Sequence, residues 1–75
     1  MELTDVIDVI LEYVEPDCEI DADALLKQDC GLTSFDTTCA VGEMCDRWGV
    51  DADALDLRAV RTVGELFDAL KRAKA

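Results

Sequence analysis

The fold of this chain is decided by one stretch, SFDTTCAVGEMCDRWG at residues 34–49. Ser is a preferred N-cap residue, so Ser34 is predicted to begin a helix as its N-cap, and Gly49 is predicted to end that helix after Trp48. Side chains suited to a core recur at helical spacing on one face. That predicted core face comprises Thr37, Val41, Met44, Cys45 and Trp48. The opposite, polar face comprises Asp36, Cys39, Glu43, Asp46 and Arg47.

Two further substantial helices are predicted, one on each side of this segment. Residues 3–14 alternate acidic and apolar side chains, and Pro16 requires the first helix to end at or before Glu15. Its predicted buried stripe comprises Leu3, Val6, Ile7, Ile10 and Val14. Near the end of the chain, Thr62 and Glu65 match a capping box at the start of a last helix. The predicted buried stripe of that helix comprises Val63, Leu66, Phe67 and Leu70.

The connections between these helices follow a less regular pattern. Residues 17–33 predict a long loop with a turn at Gly31 and apolar anchors at Ile20, Leu25, Leu26 and Leu32. We expect a short helical turn around Leu25 and Leu26, capped by Asp21 or Asp23. A short third helix is predicted between Asp53 and Val60.

Two segments of the chain resemble each other, DADALLKQ at residues 21–28 and DADALDLR at residues 51–58. Two copies do not make a repeat protein, because stacked repeats need about three units to bury a core. We interpret them as two short helices that use the same Asp cap and Leu anchor. The sequence therefore predicts an all-α fold of four helices in a single domain over residues 1–75.

The composition argues against several functions. The chain has 18 acidic residues, 7 basic residues and no His, for a formal net charge of -11. This charge disfavours nucleic acid and anionic membrane surfaces and fits a basic protein partner. No signal peptide or membrane-spanning stretch is recognisable, so the cytoplasm is the expected location. Without His, the commonest general base is missing, and we expect neither catalytic residues nor an enzyme.

The four cysteines, Cys18, Cys30, Cys39 and Cys45, are predicted to be thiols rather than a disulfide framework, because no export signal accompanies them. They include no CxxC pair, and their spacing matches no usual metal pattern, so no metal site is expected. Helix geometry places Cys39 on the polar face of the second helix and Cys45 on its buried face.

The segment DCGLTSFD at residues 29–36 resembles the prosthetic-group attachment motif of acyl carrier proteins, a D-x-G-x-x-S-[LF] run that puts a serine at the start of the second helix. The resemblance covers nearly the whole chain, from the acidic first helix and long loop to TVGEL at residues 62–66, which looks like the usual opening of the last helix in that family. It implies a four-helix bundle of the acyl-carrier type, with three main helices and a short third helix.

The resemblance further implies that Ser34 receives a covalent 4'-phosphopantetheine arm from coenzyme A, transferred by a phosphopantetheinyl transferase. The thiol of the arm would hold acyl, aminoacyl or polyketide intermediates as thioesters, and Ser34 would be a modified residue rather than a catalyst. Electrostatics agree with this location, because a phosphodiester at a helix N-terminus meets unpaired backbone N–H groups and the positive end of the helix dipole.

The resemblance also implies that the acidic second helix docks basic patches on acyl-loading and acyl-processing enzymes. The docking residues would be Phe35, Asp36, Glu43 and Asp46 of a monomeric carrier. Residues 1–46 contain 13 acidic residues and one base, whereas residues 47–75 contain 5 acidic residues and 6 bases. Thr33 stands where fatty-acid carriers most often have Asp, which favours a specialised pathway over fatty-acid biosynthesis. The alternative is an unmodified acidic helical interaction module with the carrier fold.

Overall fold

The chain is all-α in the computed structural model, which describes residues 2–15 and 19–74. Its three α-helices are α1 (Leu3–Leu11), α2 (Ser34–Trp48) and α3 (Val63–Lys74), and a 3-10 turn at Ala52–Ala54 precedes α3. Helix α1 packs against both α2 and α3. Within the described ranges, β structure is limited to one bridge between Leu25 and Thr62. The predictions made for Pro16 and Cys18 fall outside the described residues.

Helix α1 follows from its apolar stripe and from a cap at its first turn. The Asp5 carboxylate accepts a hydrogen bond from the Glu2 backbone N–H at 2.8 Å. Val6 and Ile10 are fully buried as predicted, and so is Val9, which the predicted stripe did not include. The remaining stripe residues, Leu3, Ile7 and Val14, are partly buried against the core. The helix ends at Leu11, within the limit that the proline sets.

Ser34 is the first residue of helix α2, but the N-cap is Thr33. The prediction that Ser34 is the N-cap was therefore wrong. The Thr33 Oγ1 accepts a hydrogen bond from the Asp36 N–H at 3.0 Å, and the Asp36 carboxylate accepts one from the Thr33 N–H at 3.4 Å. Thr and Ser are both preferred caps, and a carboxylate three residues beyond Thr33 favours Thr33 because it completes a capping box. Ser34 is therefore the first helical residue.

The end of α2 is the predicted one. Gly49 adopts a left-handed conformation with φ of 66°, and its N–H donates to the carbonyl of Cys45. Glycine is favoured there because it has no Cβ to clash in this conformation. On the core face, Val41, Met44 and Cys45 are buried, Thr37 and Trp48 are half-buried, and the small Ala40 is also buried.

The short third helix predicted between Asp53 and Val60 is not an α-helix. The segment contains the 3-10 turn at Ala52–Ala54 and a hydrogen-bonded turn at residues 57–59. The Asp51 and Asp56 carboxylates each accept a hydrogen bond from the backbone N–H two residues later, at 3.0 and 3.1 Å. Such side-chain bonds compete with helical pairing, which explains why a continuous helix does not form.

Helix α3 begins after the predicted cap residue Thr62 and buries Val63, Leu66 and Leu70 of the predicted stripe, whereas Phe67 is only partly buried. The Thr62 Oγ1 accepts a hydrogen bond from the Glu65 N–H at 3.1 Å. Leu66 and Leu70 are almost completely buried, which contributes roughly 1.5–3 kcal/mol each. Three basic side chains lie in the last turn, where they complement the negative end of the helix dipole. They are Lys71, Arg72 and Lys74.

The long connection between α1 and α2 is tied to the start of α3 by backbone hydrogen bonds. The Leu26 N–H donates to the Arg61 carbonyl at 2.9 Å, and the Val63 N–H donates to the Ala24 carbonyl at 3.0 Å. The Gly64 N–H donates to the carbonyl of Ala22 at 2.8 Å. The predicted anchors Ile20, Leu26 and Leu32 are buried, and Leu25 is half-buried.

The predicted turn around Leu25 and Leu26 is present, but its cap differs from both candidates. The Asp29 carboxylate accepts a hydrogen bond from the Leu25 N–H at 2.8 Å, and the Leu25 carbonyl accepts one from the Asp29 N–H at 2.9 Å. Asp21 instead stabilises the preceding turn by accepting a hydrogen bond from the Asp23 N–H at 3.0 Å. The turn is therefore closed by the residue that follows it.

The two similar segments share an Asp-stabilised turn but not the two short helices that the sequence predicted. Asp21 and Asp51 each accept a hydrogen bond from the backbone N–H two residues later, both at 3.0 Å. Each segment forms short turns rather than an α-helix. Across the described residues, none of the helices combines the length and apolar character that crossing a membrane requires.

Candidate modification site at the start of α2

Ser34 presents an exposed hydroxyl at the first position of α2, and it is the only serine in the chain. Because Thr33 provides the cap, the Ser34 hydroxyl is not used to close the helix. Its backbone carbonyl accepts a hydrogen bond from the Thr38 Oγ1 at 2.9 Å. The side chain is therefore accessible to a reagent in solution while the backbone holds it in place.

The first turn of α2 offers a favourable setting for an anion attached to Ser34. The Asp36 N–H donates to the Thr33 Oγ1 at 3.0 Å, and the Thr37 N–H donates to the Thr33 carbonyl at 2.9 Å. The N–H groups that precede them in this turn lie at the positive end of a 15-residue helix. Such a terminus stabilises a phosphate ester. The residues present thus fit a phosphopantetheine attachment site.

A groove of about 490 Å³ opens beside Ser34. This volume lies within the range of small-molecule binding sites, about 300–1,000 Å³. Three parts of the chain form its walls: the turn at residues 25–28, the start of α2 and the segment 57–61. The apolar lining consists of Leu25, Leu26, Leu57 and Val60.

The same groove is lined by basic side chains, although the protein is strongly acidic. Lys27, Arg58 and Arg61 line it, and they are three of the seven basic residues in the chain. None of the described residues that line the groove is Asp or Glu. We call this feature the basic groove. The hydrogen bonds between residues 22–26 and 61–64 bring Lys27 and Arg61 to the same place.

The four predicted docking residues occupy different environments. Phe35 is 76 % exposed beside Ser34, and Asp46 is exposed further along α2. Asp36 is half-buried because it belongs to the capping box with Thr33. Glu43 is half-buried on the side of α2 that faces α1. Of these four residues, only Phe35 and Asp46 have side chains to which the described structure gives no structural role.

Glu43 belongs to a small charged cluster between α1 and α2. Arg47 lies 3.2 Å from the Glu12 carboxylate and 3.7 Å from that of Glu43. A hydrogen bond to the Glu12 carboxyl, and secondly desolvation, raise the pKa of Glu43, while Arg47 acts in the opposite direction. The nearby Glu12 carboxyl thus favours the protonated form of Glu43, because two ionised carboxylates close together repel each other. The cluster is therefore sensitive to pH.

No disulfide joins Cys30, Cys39 and Cys45 to one another in the part of the chain that the structure describes. Cys30 and Cys45 are buried, and Cys39 is half-buried on the polar side of α2. Burial, and secondly the negative charges of Asp46 and Asp51, raise the pKa of the Cys45 thiol. A raised pKa lowers the fraction of reactive thiolate at neutral pH. The burial of Cys45 and the low reactivity of its thiol therefore both indicate a packing role.

Sequence reasoning missed the basic groove. Lys27 lies about thirty residues before Arg58 and Arg61 in the chain, and no motif connects them. The available signal was the composition of residues 47–75, which contain 6 bases against 5 acidic residues and include both Arg58 and Arg61.

No protein-family model, curated protein or solved structure matches the chain. The resemblance to acyl carrier proteins thus remains a prediction from the motif at residues 29–36 and the order of the elements.

Proposed function

We propose that this protein is a carrier that holds acyl, aminoacyl or polyketide intermediates as thioesters on a 4'-phosphopantetheine arm attached to Ser34. The observation that carries the proposal is the state of Ser34: exposed, first in α2 and relieved of capping by Thr33. A serine that only capped the helix would engage its hydroxyl with the backbone. Here the neighbouring threonine does so.

The arrangement of the elements supports the same proposal. An acidic α1, a long connection tied to α3, the serine at the start of α2 and a short element at residues 52–60 occur in the order that the carrier resemblance implies. In this proposal the 3-10 turn and the turn at residues 57–59 stand in place of the short third helix of a four-helix bundle. The proposed carrier is a cytoplasmic monomer.

In the loading reaction, Ser34 is the nucleophile and the catalytic groups belong to the transferase. The Ser34 Oγ forms a bond to the phosphorus next to the pantetheine of coenzyme A, and the adenosine bisphosphate leaves. A base of the transferase takes the hydroxyl proton. The terminal thiol of the arm supplies the attachment point for an acyl group. This chain contributes the accessible hydroxyl and the positive helix terminus.

The proposed partners are the transferase and acyl-loading and acyl-processing enzymes with basic docking patches. The net charge of -12 on residues 1–46 attracts such patches over a distance and speeds encounter. Phe35 adds an exposed aromatic ring beside the modified residue, the kind of side chain that anchors protein interfaces.

Thioester formation tests this function against the unmodified interaction module. The protein is incubated with a broad-specificity transferase and acetyl-coenzyme A, followed by hydroxylamine, and its intact mass is measured at each step. A carrier gains one acetylated arm and then loses only the acetyl group, because hydroxylamine cleaves thioesters. An unmodified module shows no gain. Ser34→Ala is the matched control, and it should remain unmodified while keeping its helical circular dichroism spectrum.

A further inference from the structure

We propose that the basic groove binds the phosphate group of the 4'-phosphopantetheine arm, so that the arm lies against residues 57–61. The inference deepens the proposed function and rests on it for the arm's attachment. The groove's ability to bind a phosphate ester is nevertheless a property of this chain alone, and it is testable without loading.

The first support is the distribution of charge. A protein with 18 acidic residues has a groove whose described lining contains three basic residues and no acid. Of all the described basic residues, only Arg47 forms an ion pair. The three bases of the groove are therefore available to a ligand, and the ligand must be an anion to gain from them.

The second support is the location of Ser34. Ser34 itself lines the groove, together with Thr37 and Thr38 of the next turn. Any group esterified to its Oγ therefore starts at the groove wall. In a phosphopantetheine arm that first group is a phosphodiester, which is ionised at neutral pH. Arg58 and Arg61 can donate several hydrogen bonds to phosphate oxygens, and Lys27 adds a compact positive charge.

The third support is the composition of the remaining lining. Leu57 and Val60 offer apolar surface beside the cations, and Gln28 with Thr38 offers hydrogen-bonding groups. A pantetheine chain has methyl groups and amides in addition to its phosphate, so both kinds of wall have a counterpart. A simple inorganic anion would use only the cations. The groove therefore suits the arm better than it suits a free ion.

The test is an NMR titration of the apo protein with free 4'-phosphopantetheine, in parallel with pantetheine, which lacks the phosphate. The proposal predicts saturable backbone amide shifts at residues 27–28, 34–38 and 57–61 with the phosphorylated compound only. Arg58→Gln/Arg61→Gln should weaken binding about 2- to 25-fold, since each lost exposed ion pair costs about 1.4- to 5-fold. Lys74→Gln, a cation at the end of α3 outside the groove, should change affinity less than about twofold.

Equal binding of pantetheine, or an unchanged affinity in the double variant, would overturn the proposal. The loaded protein gives an independent measurement. Between the apo and loaded forms, backbone amide shifts should extend to residues 57–61 in the wild type, and they should be confined to α2 in the double variant. If the arm is attached but no shift reaches residues 57–61, the groove proposal fails and the carrier function stands. If loading fails while free phosphopantetheine still binds, the carrier function fails and the anion site stands.

Discussion

Two adjacent hydroxyl residues, Thr33 and Ser34, have different roles at the start of α2. Thr33 closes the helix through its hydrogen bond to Asp36, and Ser34 is left with an exposed hydroxyl. If Ser34 were the cap, its hydroxyl would point back at the helix and be less available for modification. In the proposed function, the capping residue therefore contributes without touching a substrate.

The capping role of Thr33 predicts a difference between two substitutions. Thr33→Ala should lower the free energy of unfolding by about 1 kcal/mol, because it removes the hydrogen bond to the Asp36 N–H. Thr33→Ser should retain the stability to within a few tenths of that amount. Urea denaturation monitored by circular dichroism measures both. Equal stability of the alanine and serine variants would show that Thr33 is not the cap.

At the scale of the helix, the structure identifies better probes of docking than the sequence alone does. Substituting Asp36 would break the capping box, and substituting Glu43 would disturb the contact with Arg47 and α1. Either variant would mix a folding effect with a docking effect. Phe35 and Asp46 are exposed, so their substitution leaves the described packing intact.

Phe35→Ala and Asp46→Lys should each slow loading by a transferase. The Asp46→Lys effect should shrink with added salt, because the Debye length falls from about 10 Å at 0.1 M to about 3 Å at 1 M, whereas the Phe35→Ala effect should persist. Initial loading rates at several salt concentrations provide the measurement. Asp8→Lys on α1, also exposed, is the matched charge control. An equal effect at Asp8 would mean that net charge, rather than a docking face on α2, controls the rate.

The glycines of α2 and α3 predict opposite responses to the same substitution. A Cβ at Gly64 would lie 3.0 Å from the Ala22 carbonyl oxygen, within the contact that ties the long connection to α3. A Cβ at Gly42 would meet no atom within 4 Å. Gly64→Ala should destabilise, because overpacking costs about 1–3 kcal/mol and exceeds the helical gain. Gly42→Ala should stabilise by up to about 1 kcal/mol.

Thermal and urea denaturation of the two glycine variants measure these changes. Stabilisation by Gly64→Ala would show that the close approach of residues 22 and 64 is not maintained in solution. A loss of stability in Gly42→Ala would point to a contact at that position that the described structure lacks.

The sequence predicted those elements whose signals are local. The periodicity of apolar residues predicted the buried faces of α2 and α3, and the turn residue Gly49 marked the end of α2. The segment at residues 51–60 was misjudged because the Asp51 and Asp56 side chains compete with helical hydrogen bonds, an outcome that spacing does not reveal. The basic groove depends on backbone pairing between residues 22–26 and 61–64, a non-local contact without a sequence pattern.

For the molecule as a whole, the excess of acid makes stability depend on pH. A net charge of -11 on 75 residues favours the expanded state through self-repulsion. The raised pKa of Glu43 acts in the same direction, because it also makes the folded state less stable at neutral pH than at lower pH. A group whose pKa is higher in the folded state contributes stability that is complete below its unfolded pKa, here near 4.5, and that is lost as pH rises through the folded pKa.

The melting temperature should therefore rise as pH falls from about 7 to about 5 at fixed ionic strength. Glu43→Gln, which imitates the protonated carboxyl, should make this dependence shallower. Asp8→Asn removes the same charge away from the cluster of Glu12, Glu43 and Arg47, and it should leave more of the dependence in place. Differential scanning calorimetry gives the values. A melting temperature that falls steadily as pH falls over this range would show that favourable ion pairs and caps of the carboxylates, rather than their repulsion, control the pH dependence of stability.

The central claim is that Ser34 carries the arm, and the intact mass of the protein tests it most directly. The wild type is incubated with coenzyme A and each of several broad-specificity transferases, and fragmentation then locates the added mass. The account predicts a gain of one phosphopantetheine, located at Ser34 and absent from Ser34→Ala. Since the chain contains a single serine, the assignment has no competitor of the same residue type. A wild-type mass that no transferase changes, or an arm located at another residue, would contradict it.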